Sequence, residues 1–248
     1  MADIKVELLD HMGSDLDVVN AARVSFEKES EWDGSDNQSY MQRVYPDRYL
    51  TFIGRDCVGN DEWGVLSESD SKLIHYLAKH GHWTPFAHTS IKFRIKAPIF
   101  VARQLVKHQV GLVWNEVSRR YVDSDPEFYA PKAWRKRAEN VKQGSMDEPV
   151  SEGLLGGYLR KAYVDYIQKS EAAYLTLLKT GVAPEQARMV LPLSTMTEWI
   201  WTGSLAAFAR VVKQRLEGHA QRECAEVAIP ISDHCATLFP VSWEALFG

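Results

Sequence analysis

One stretch of the chain, from Ala102 to Tyr121, concentrates the residue types that could do chemistry. It combines cations with side chains that donate or accept hydrogen bonds, namely Arg103, Gln104, Lys107, His108, Gln109, Asn115, Glu116, Ser118, Arg119 and Arg120. Charge-assisted donors bind phosphates, and paired donors and acceptors bind the edge of a heterocycle. The segment therefore suits a phosphorylated heterocycle. A solvated polar face, with Glu116 paired to a nearby arginine, explains the same composition, so both interpretations stay open.

A second cluster contains three histidines within nine residues, His80, His82 and His88. The imidazoles could bind a metal ion, but their spacing matches no common zinc pattern, and neither a cysteine nor an HExxH motif accompanies them. A structural role, or a hydrogen bond from one histidine to a ligand, fits the cluster better. We therefore predict no metal site.

Two further segments contain cations that call for a partner. Arg188 lies in an otherwise apolar stretch, where an unpaired buried guanidinium would be costly. It must either reach solvent or meet an anion. Arg215 and His219 lie four residues apart, as do Lys213 and Glu217. A surface ion pair explains the second pair fully, but it explains the first pair less well because neither member is negative.

The bulk composition argues against several classes of protein. The formal net charge of −4 and the pI near 6.1 disfavour a general nucleic-acid coat, which needs a basic surface. No run approaches the roughly 18 apolar residues that span a bilayer, and the first residues lack the charged-then-apolar order of a signal peptide. The three cysteines form no CxxC motif. We therefore expect a protein of the reducing cytoplasm, without nucleic-acid or membrane partners.

Several common catalytic and nucleotide-binding motifs are missing from the sequence. There is no GxGxxG motif of a Rossmann site, no GxxxxGK[ST] phosphate loop and no GxSxG nucleophile elbow. Any dinucleotide must therefore be bound by a different fold.

The elements that position these residues follow from hydrophobic periodicity and capping signals. Ser14 or Asp15 can begin the first helix. Ser67 can begin the second, and Gly81 is placed to end it. The predicted strands are 4–9, 91–96 and 194–201. The predicted helices are 15–26, 67–80, 98–108, 151–180, 184–192 and 203–237, the last broken near Gly218.

The predicted helix over 98–108 carries the first half of the polar segment. On such a helix Arg103 and Lys107 share a face, as do Gln104 and His108. A glycine-containing loop then leads to the rest of the segment. Long helices with few, scattered strands indicate an α+β fold. We expect one domain over 1–248, with a polar insertion at about 29–65 where no period is sustained.

Five ordered blocks of the sequence resemble the flavin-dependent thymidylate synthases. The blocks are His-Gly-His-x-Thr-Pro-Phe-x-His at 80–88, Lys-Ala-Pro-Ile-Phe-Val-Ala-Arg-Gln at 96–104, Asn-Glu-x-Ser-x-Arg-Tyr at 115–121, Ala-Arg-x-Val-Leu-Pro-Leu at 187–193 and Arg-x-x-x-His-Ala-Gln at 215–221. The resemblance runs from about residue 8 to residue 240, outside the insertion. Five blocks in order are a far more specific signal than any single block.

The resemblance implies reductive methylation of dUMP to dTMP, with methylene-tetrahydrofolate as carbon donor and FAD and NADPH for reduction. It implies long helices around a small, mostly antiparallel sheet, and a homotetramer with active sites between subunits. The positions that would hold dUMP are Gln104, Lys107, Glu116, Ser118, Arg120, Arg188 and Arg215. The positions that would line FAD are His82, Thr84, Lys107, His108, Gln109, Glu116, Ser204, Arg210 and His219.

The resemblance also indicates how the reaction is activated. The other class of thymidylate synthase uses a Pro-Cys-His nucleophile, which this chain lacks. Without a thiolate to add at C6, a permanent cation beside the uracil ring can stabilise negative charge there and so enrich C5. Arginine suits this role because it stays protonated. The family comparison assigns the role to Arg215, the predicted catalytic residue.

The chain departs from the Arg-His-Arg signature of the family, which reads Lys107-His108-Gln109 here. Lys107 keeps the charge without the bidentate geometry, and Gln109 loses the charge. Arg210 could return the lost cation from a different direction. The departures leave two alternatives open. One is hydroxymethylation of dUMP, in which water intercepts the intermediate before the hydride does, and the other is a non-catalytic family member that binds nucleotide.

Overall fold

The computed structural model describes residues 1–33, 65–122, 124–139, 144–150, 154–218 and 220–247. The predicted insertion at 29–65 therefore lies largely outside the described residues. The chain divides into two compact units. Unit 1 comprises Met1–Leu9, Lys92–Thr202 and Val211–Ile231, and unit 2 comprises Asp10–Ile91, Gly203–Arg210 and Ser232–Gly248. The single domain over 1–248 stays a prediction.

A small sheet, most of which belongs to unit 1, is combined with long helices. The strands are β1 (Lys5–Met12), β2 (Ser90–Pro98), β3 (Leu112–Glu116), β4 (Arg135–Arg137), β5 (Ser145–Pro149) and β6 (Met196–Gly203). One sheet has the order β1-β2-β6-β3, and β4 and β5 form an antiparallel pair. Alternate residues of the central strands are buried, among them Phe93, Ile95 and Trp199. That period is typical of a strand with one face on the core. The α+β fold class is confirmed.

Two of the helices begin at the positions that their capping residues predicted. They are α1 (Asp15–Arg23), α2 (Glu68–Lys79), α3 (Ile99–Leu105), α4 (Leu154–Lys179), α5 (Pro184–Ala187), α6 (Leu205–Leu216), α7 (Arg222–Leu238) and α8 (Pro240–Phe247). Ser14 caps α1 in a reciprocal box with Asp17, and Ser67 caps α2. No helix within the described ranges is both long and apolar enough to cross a membrane.

The helix that carries the polar segment is shorter than predicted. Pro98 is the last residue of β2, and α3 ends at Leu105, not at His108. After Leu105 the chain tightens, because the N–H of His108 donates to the carbonyl of Leu105, three residues back, at 3.0 Å. A three-residue step does not continue an α-helix.

This boundary corrects a predicted arrangement of side chains. Lys107 and His108 lie in the turn after α3. The prediction that Arg103 and Lys107 share a helix face, and Gln104 and His108 another, is therefore wrong. The sequence pattern predicted no strand after the loop at Gly111, yet the next residues form β3. Gly111 has a φ of +74°, which other residues rarely adopt, and it turns the chain into that strand.

The other predicted boundaries agree with the structure to within a few residues, with two exceptions. The helix expected over 15–26 ends at Arg23 and is followed by a 3₁₀ turn at Val24–Phe26. The helix expected over 184–192 is α5 followed by a 3₁₀ turn at Arg188–Val190. The β4–β5 pair and α8 are additions that the sequence pattern did not predict.

Within unit 2 a buried carboxylate joins α1 to α2. The side chain of Asp70 is only 4% exposed. Its oxygens accept hydrogen bonds from Arg23, from the Oγ of Ser67 at 2.8 Å and from the Oγ of Ser30 at 3.0 Å. Burial alone would raise the pKa of this carboxyl, but the hydrogen bonds from its three partners outweigh burial and lower the pKa.

We expect Asp70→Asn to lower the free energy of unfolding by about 2–3 kcal/mol at neutral pH, because the bonds to a charged carboxylate are stronger than those to an amide. The folded-state pKa lies below the unfolded value. The stabilisation is therefore present above the unfolded pKa of about 4 and is lost as the pH falls through the folded value. Urea unfolding at neutral pH and at about pH 3 measures the difference.

A matched control lies on the same helix. Glu68 pairs with Lys72 at 2.6 Å on the exposed face of α2. Glu68→Gln should leave stability unchanged, because exposed ion pairs contribute little. A deficit of Asp70→Asn that is equally large at both pH values would contradict the assignment to an ionised carboxylate.

Candidate active site

The candidate site is centred on Arg215, near the C-terminal end of α6 and half-buried. Its Nε and Nη2 approach Nε2 of His108 at 3.0 and 2.8 Å, and Nη2 donates to the backbone carbonyl of Gln104 at 3.2 Å. A guanidinium has no acceptor, so Nε2 of His108 must accept and the ring proton is on Nδ1. Two segments that are distant in sequence therefore meet at one cation.

The early end of α3 makes this meeting possible. In a helix that continued to His108, the N–H of that residue would occupy the carbonyl of Gln104. Because α3 stops at Leu105, the carbonyl of Gln104 is one of the terminal acceptors without a partner in its own helix. A cation at the C-terminal end of a helix is also favoured by the helix dipole. Arg215 supplies both the donor and the charge.

A chain of hydrogen bonds continues from the side chain of Gln104. Its Nε2 donates to Oε1 of Gln221, and Nε2 of Gln221 donates to Oε2 of Glu223 at 3.0 Å. Both oxygens of Glu223 accept from Nη2 of Arg135 at 2.9 Å. Burial would raise the pKa of the Glu223 carboxyl, but Arg135 and Gln221 lower it below its usual value, and Glu223 raises the pKa of Arg135. The pair is ionised.

Glu116 is held at the end of β3 by two donors. Its Oε1 accepts from the Oγ1 of Thr197 on β6 at 2.7 Å, and its Oε2 accepts from Nε1 of Trp114 at 3.2 Å. The ring of Trp114 in turn stacks on that of Trp199, with centroids 4.3 Å apart. The carboxylate is thus oriented by the sheet although it remains exposed.

Three other residues expected at the nucleotide make their described hydrogen bonds within their own segments. Ser118 accepts through its Oγ from Nε of Arg120 at 3.2 Å. Arg188 is exposed, and its Nε donates to the carbonyl of Glu185 at 3.2 Å. Its guanidinium is therefore open to solvent and accessible to an anion. The structure brings Gln104, His108 and Arg215 together. The described hydrogen bonds of Ser118, Arg120 and Arg188, in contrast, stay within their own segments.

The residues expected at a flavin are divided between the units. Lys107 and Gln109 lie exposed in the turn between α3 and β3 of unit 1. His108 and Glu116, described above, also belong to unit 1. The remaining described positions belong to unit 2, and His219 lies outside the described residues. The exposed residues of this second group are His82, Thr84 and Arg210, whereas Ser204 is half-buried and its Oγ accepts from the N–H three residues on, at 3.3 Å. By residue type, these cations, imidazoles and hydroxyls fit FAD, which carries a diphosphate, a ribose and a ring with donors and acceptors.

Two of the three clustered histidines pack against an aromatic ring. The ring centroids of His80 and His82 lie 4.4 and 6.1 Å from that of Tyr76. Within the described ranges no three or more His, Cys, Asp or Glu side chains are grouped so that they could hold a metal ion.

The cysteine nearest to the site in sequence is protonated. Cys224 on α7 is fully buried, and burial raises the pKa of its thiol to about 11, although the positive charge of Arg215 works in the opposite direction. Burial also raises the pKa of Cys235. Only a thiolate is an effective nucleophile. Neither thiol is therefore activated at neutral pH, and Cys57 lies outside the described residues.

The sequence reasoning missed two charged residues at the end of the hydrogen-bond chain. Arg135 lies on the unpredicted strand β4, and Glu223 lies two residues after the last of the five blocks, which ends at Gln221. Arg135 and Glu223 are 88 residues apart in sequence. A pairing over that distance leaves no local periodicity or spacing signal.

Comparisons with known proteins extend over nearly the whole chain. The family model described as thymidylate synthase complementing protein matches residues 7–241. A flavin-dependent thymidylate synthase of Kosmotoga olearia is 34% identical over 248 residues, covering 98% of this chain and 90% of the relative. One of Thermus thermophilus is 36% identical over 240 residues, covering 97% of this chain and 74% of the relative.

A solved structure shares the fold. The UMP/dUMP methylase PolB of Streptomyces cacaoi, bound with 5-Br dUMP, has a TM-score of 0.76 and 30% identity, and the match covers 99% of this chain and 95% of that protein. The same methylase bound with 5-Br UMP has a TM-score of 0.72 and 28% identity.

The raised pKa of Cys224 has a measurable consequence. At about pH 8, a pKa of about 11 leaves roughly one thiol in a thousand ionised. We expect iodoacetamide to alkylate Cys224 at least about 100-fold more slowly in the native protein than in urea, where the pKa returns to about 8.5. Mass spectrometry of the Cys224 peptide over time gives both rates. Equal rates would show that this thiol is accessible and ionised in the native state.

Proposed function

Because this chain belongs to the flavin-dependent thymidylate synthases, we propose that it methylates dUMP at C5 of the uracil and releases dTMP. The carbon comes from methylene-tetrahydrofolate, and NADPH provides the reducing equivalents through FAD. The enzyme works in the cytoplasm as a homotetramer with active sites between subunits. The name of the solved neighbour, a UMP/dUMP methylase, supports the nucleotide substrate.

The observation that carries this proposal is the fixed guanidinium of Arg215 in a chain whose described thiols are protonated. Uracil C5 is a poor nucleophile and must gain electron density before it attacks a one-carbon donor. Arginine is a permanent cation, so Arg215 can stabilise negative charge that develops on the pyrimidine. His108 and the carbonyl of Gln104 hold the cation in place beforehand, which avoids reorganisation during the reaction.

The remaining residues bind and orient the reactants. We assign the dUMP site to Gln104, Lys107, Glu116, Ser118, Arg120, Arg188 and Arg215. We assign the FAD site to His82, Thr84, Lys107, His108, Gln109, Glu116, Ser204, Arg210 and His219. Reduced flavin, when bound, supplies the hydride that completes the methyl group. The exposed guanidinium of Arg188 is available to an anion such as the nucleotide phosphate, since charge-assisted donors bind phosphates most strongly.

The same assay can test two other activities, methylation of UMP and hydroxymethylation of dUMP. UMP is a second candidate substrate, because the solved neighbour is named for both nucleotides and was crystallised with 5-Br UMP as well. A hydroxymethylated product would arise if water intercepted the one-carbon intermediate. The relatives matched over nearly the full chain are named as synthases, which favours the methyl product over that alternative and over a non-catalytic binding protein.

The direct test combines product identification with one substitution. Purified protein is incubated with dUMP, methylene-tetrahydrofolate, FAD and NADPH, and the product mass is expected to be that of dTMP. Arg215→Ala should lower kcat by about 100- to 1,000-fold, the loss seen when a group that stabilises developing negative charge is removed. Circular dichroism should show an unchanged fold.

An exposed arginine provides the control for this test. Arg222 pairs only loosely with Asp147, at 3.6 Å on the surface of unit 1. Arg222→Ala should retain wild-type turnover. Near-normal methylation by Arg215→Ala would refute the role of the guanidinium, and a wild-type protein that makes no methylated nucleotide would refute the proposed function itself.

The departures from the family signature generate a second prediction. We propose that Arg210 replaces the flavin-binding cation that is lost at Gln109, because both changes occur in one chain. Arg210→Asn alone should weaken FAD binding by about tenfold, the size expected for a lost charge-assisted hydrogen bond. Adding Gln109→Arg should restore the affinity, as measured by quenching of flavin fluorescence. If the double variant binds FAD no better than Arg210→Asn, the two positions do not compensate.

A further inference from the structure

A partly buried chain of hydrogen bonds leads from Glu223 through Gln221 to Gln104 at the candidate site. Resting on the function proposed above, we propose that Glu223 and Gln221 are positioning residues for dUMP binding. They fix the orientation of the Gln104 side chain and, through the backbone of Gln104, the position of the Arg215 guanidinium. Neither Glu223 nor Gln221 needs to touch the nucleotide.

The direction of the chain starts at Glu223. An ionised carboxylate only accepts hydrogen bonds, so the group of Gln221 that faces it at 3.0 Å must be the donor, Nε2. The carboxamide of Gln221 then turns its oxygen towards Gln104. That oxygen accepts from Nε2 of Gln104. The buried charge therefore decides which way both amides point.

Gln104 is consequently held from two sides. Its side-chain Nε2 donates to Gln221, and its Oε1 is the acceptor end of the same carboxamide. Its backbone carbonyl is committed to Nη2 of Arg215 at 3.2 Å. A shift at the side chain is therefore transmitted to the acceptor that holds the guanidinium. A flipped carboxamide would present a donor where the site now presents an acceptor.

The ion pair beneath this chain is complete without Gln221. Glu223 takes both of its contacts with Arg135 at 2.9 Å, and Nε of Arg135 donates to the Oγ of Ser145 at 2.8 Å. Folding of the β4 region against α7 therefore does not require the glutamine. This separation allows the positioning role to be tested without breaking the buried ion pair.

The informative variant is Gln221→Met, which keeps the length of the side chain but removes the donor and the acceptor. Titration calorimetry with dUMP should show a dissociation constant raised about tenfold, the usual effect of losing a contact that supports a binding residue. The KM for dUMP should rise by a similar factor, and the FAD affinity should stay unchanged. A purely structural role would instead lower the fraction of active protein, reducing kcat while KM stays constant.

A second measurement is independent of the nucleotide. Diethylpyrocarbonate acylates imidazole nitrogen, and the bond from Arg215 occupies Nε2 of His108. In Gln221→Met the rate of His108 acylation, followed by mass spectrometry, should rise about fivefold, the equivalent of one lost hydrogen bond. Gln168→Met is the matched control, since Gln168 lies exposed on α4. It should change neither measurement.

The outcomes separate the two proposals. If wild-type protein does not bind dUMP, the proposed function fails, and the acylation rate alone decides whether Gln221 positions the Arg215–His108 pair. If wild type binds dUMP and Gln221→Met binds it equally well with an unchanged acylation rate, the positioning role is overturned. A raised dissociation constant together with faster acylation supports it.

Discussion

The contact on which the site depends is the one between the Arg215 guanidinium and the end of α3. A cation in a half-buried position needs acceptors around it, because an unsatisfied charge there is costly. The carbonyl of Gln104 and Nε2 of His108 are those acceptors. The early end of α3 leaves the Gln104 carbonyl without a partner in its own helix, whereas a longer helix would pair it with the N–H of His108. The short helix therefore favours the contact with Arg215.

Burial affects the charge of a thiol and of a guanidinium differently, and this difference determines which group can activate a substrate. Burial keeps Cys224 protonated, with a pKa of about 11, whereas Arg215 keeps its charge in almost any environment. Unit 1 can therefore activate a substrate through the fixed positive charge of Arg215, but not through the buried thiol of Cys224. The ion pair between Glu223 and Arg135 also contributes to the arrangement of the site. A buried ion pair adds little net stability, but it can specify orientation, and here it directs the two amides that lead to Arg215.

The predictions succeeded where the deciding interactions are local. Ser14 and Ser67 cap their helices through residues three positions away, so the sequence pattern contained the whole interaction. The helix predicted over 98–108 failed because its apolar pattern continues beyond Leu105 without a stop signal. Its end is associated with a tertiary contact from α6. The sequence limited the environment of Arg188 to two possibilities, solvent or an anion. It could not choose between them, because solvent exposure depends on which surfaces the rest of the chain covers.

By itself, the sequence was enough to determine the α+β class, the family and the segments that contain the polar residues, because capping, periodicity and ordered blocks are properties of neighbouring residues. It also showed that the Pro-Cys-His nucleophile is missing. Only the tertiary structure decided that Arg215 meets His108 and Gln104, and that Glu223 and Arg135 stand behind them. Arg215 and His108 are 107 residues apart in the sequence, and Glu223 and Arg135 are 88 residues apart. The direction of a hydrogen bond between them depends on geometry that no short stretch of sequence contains.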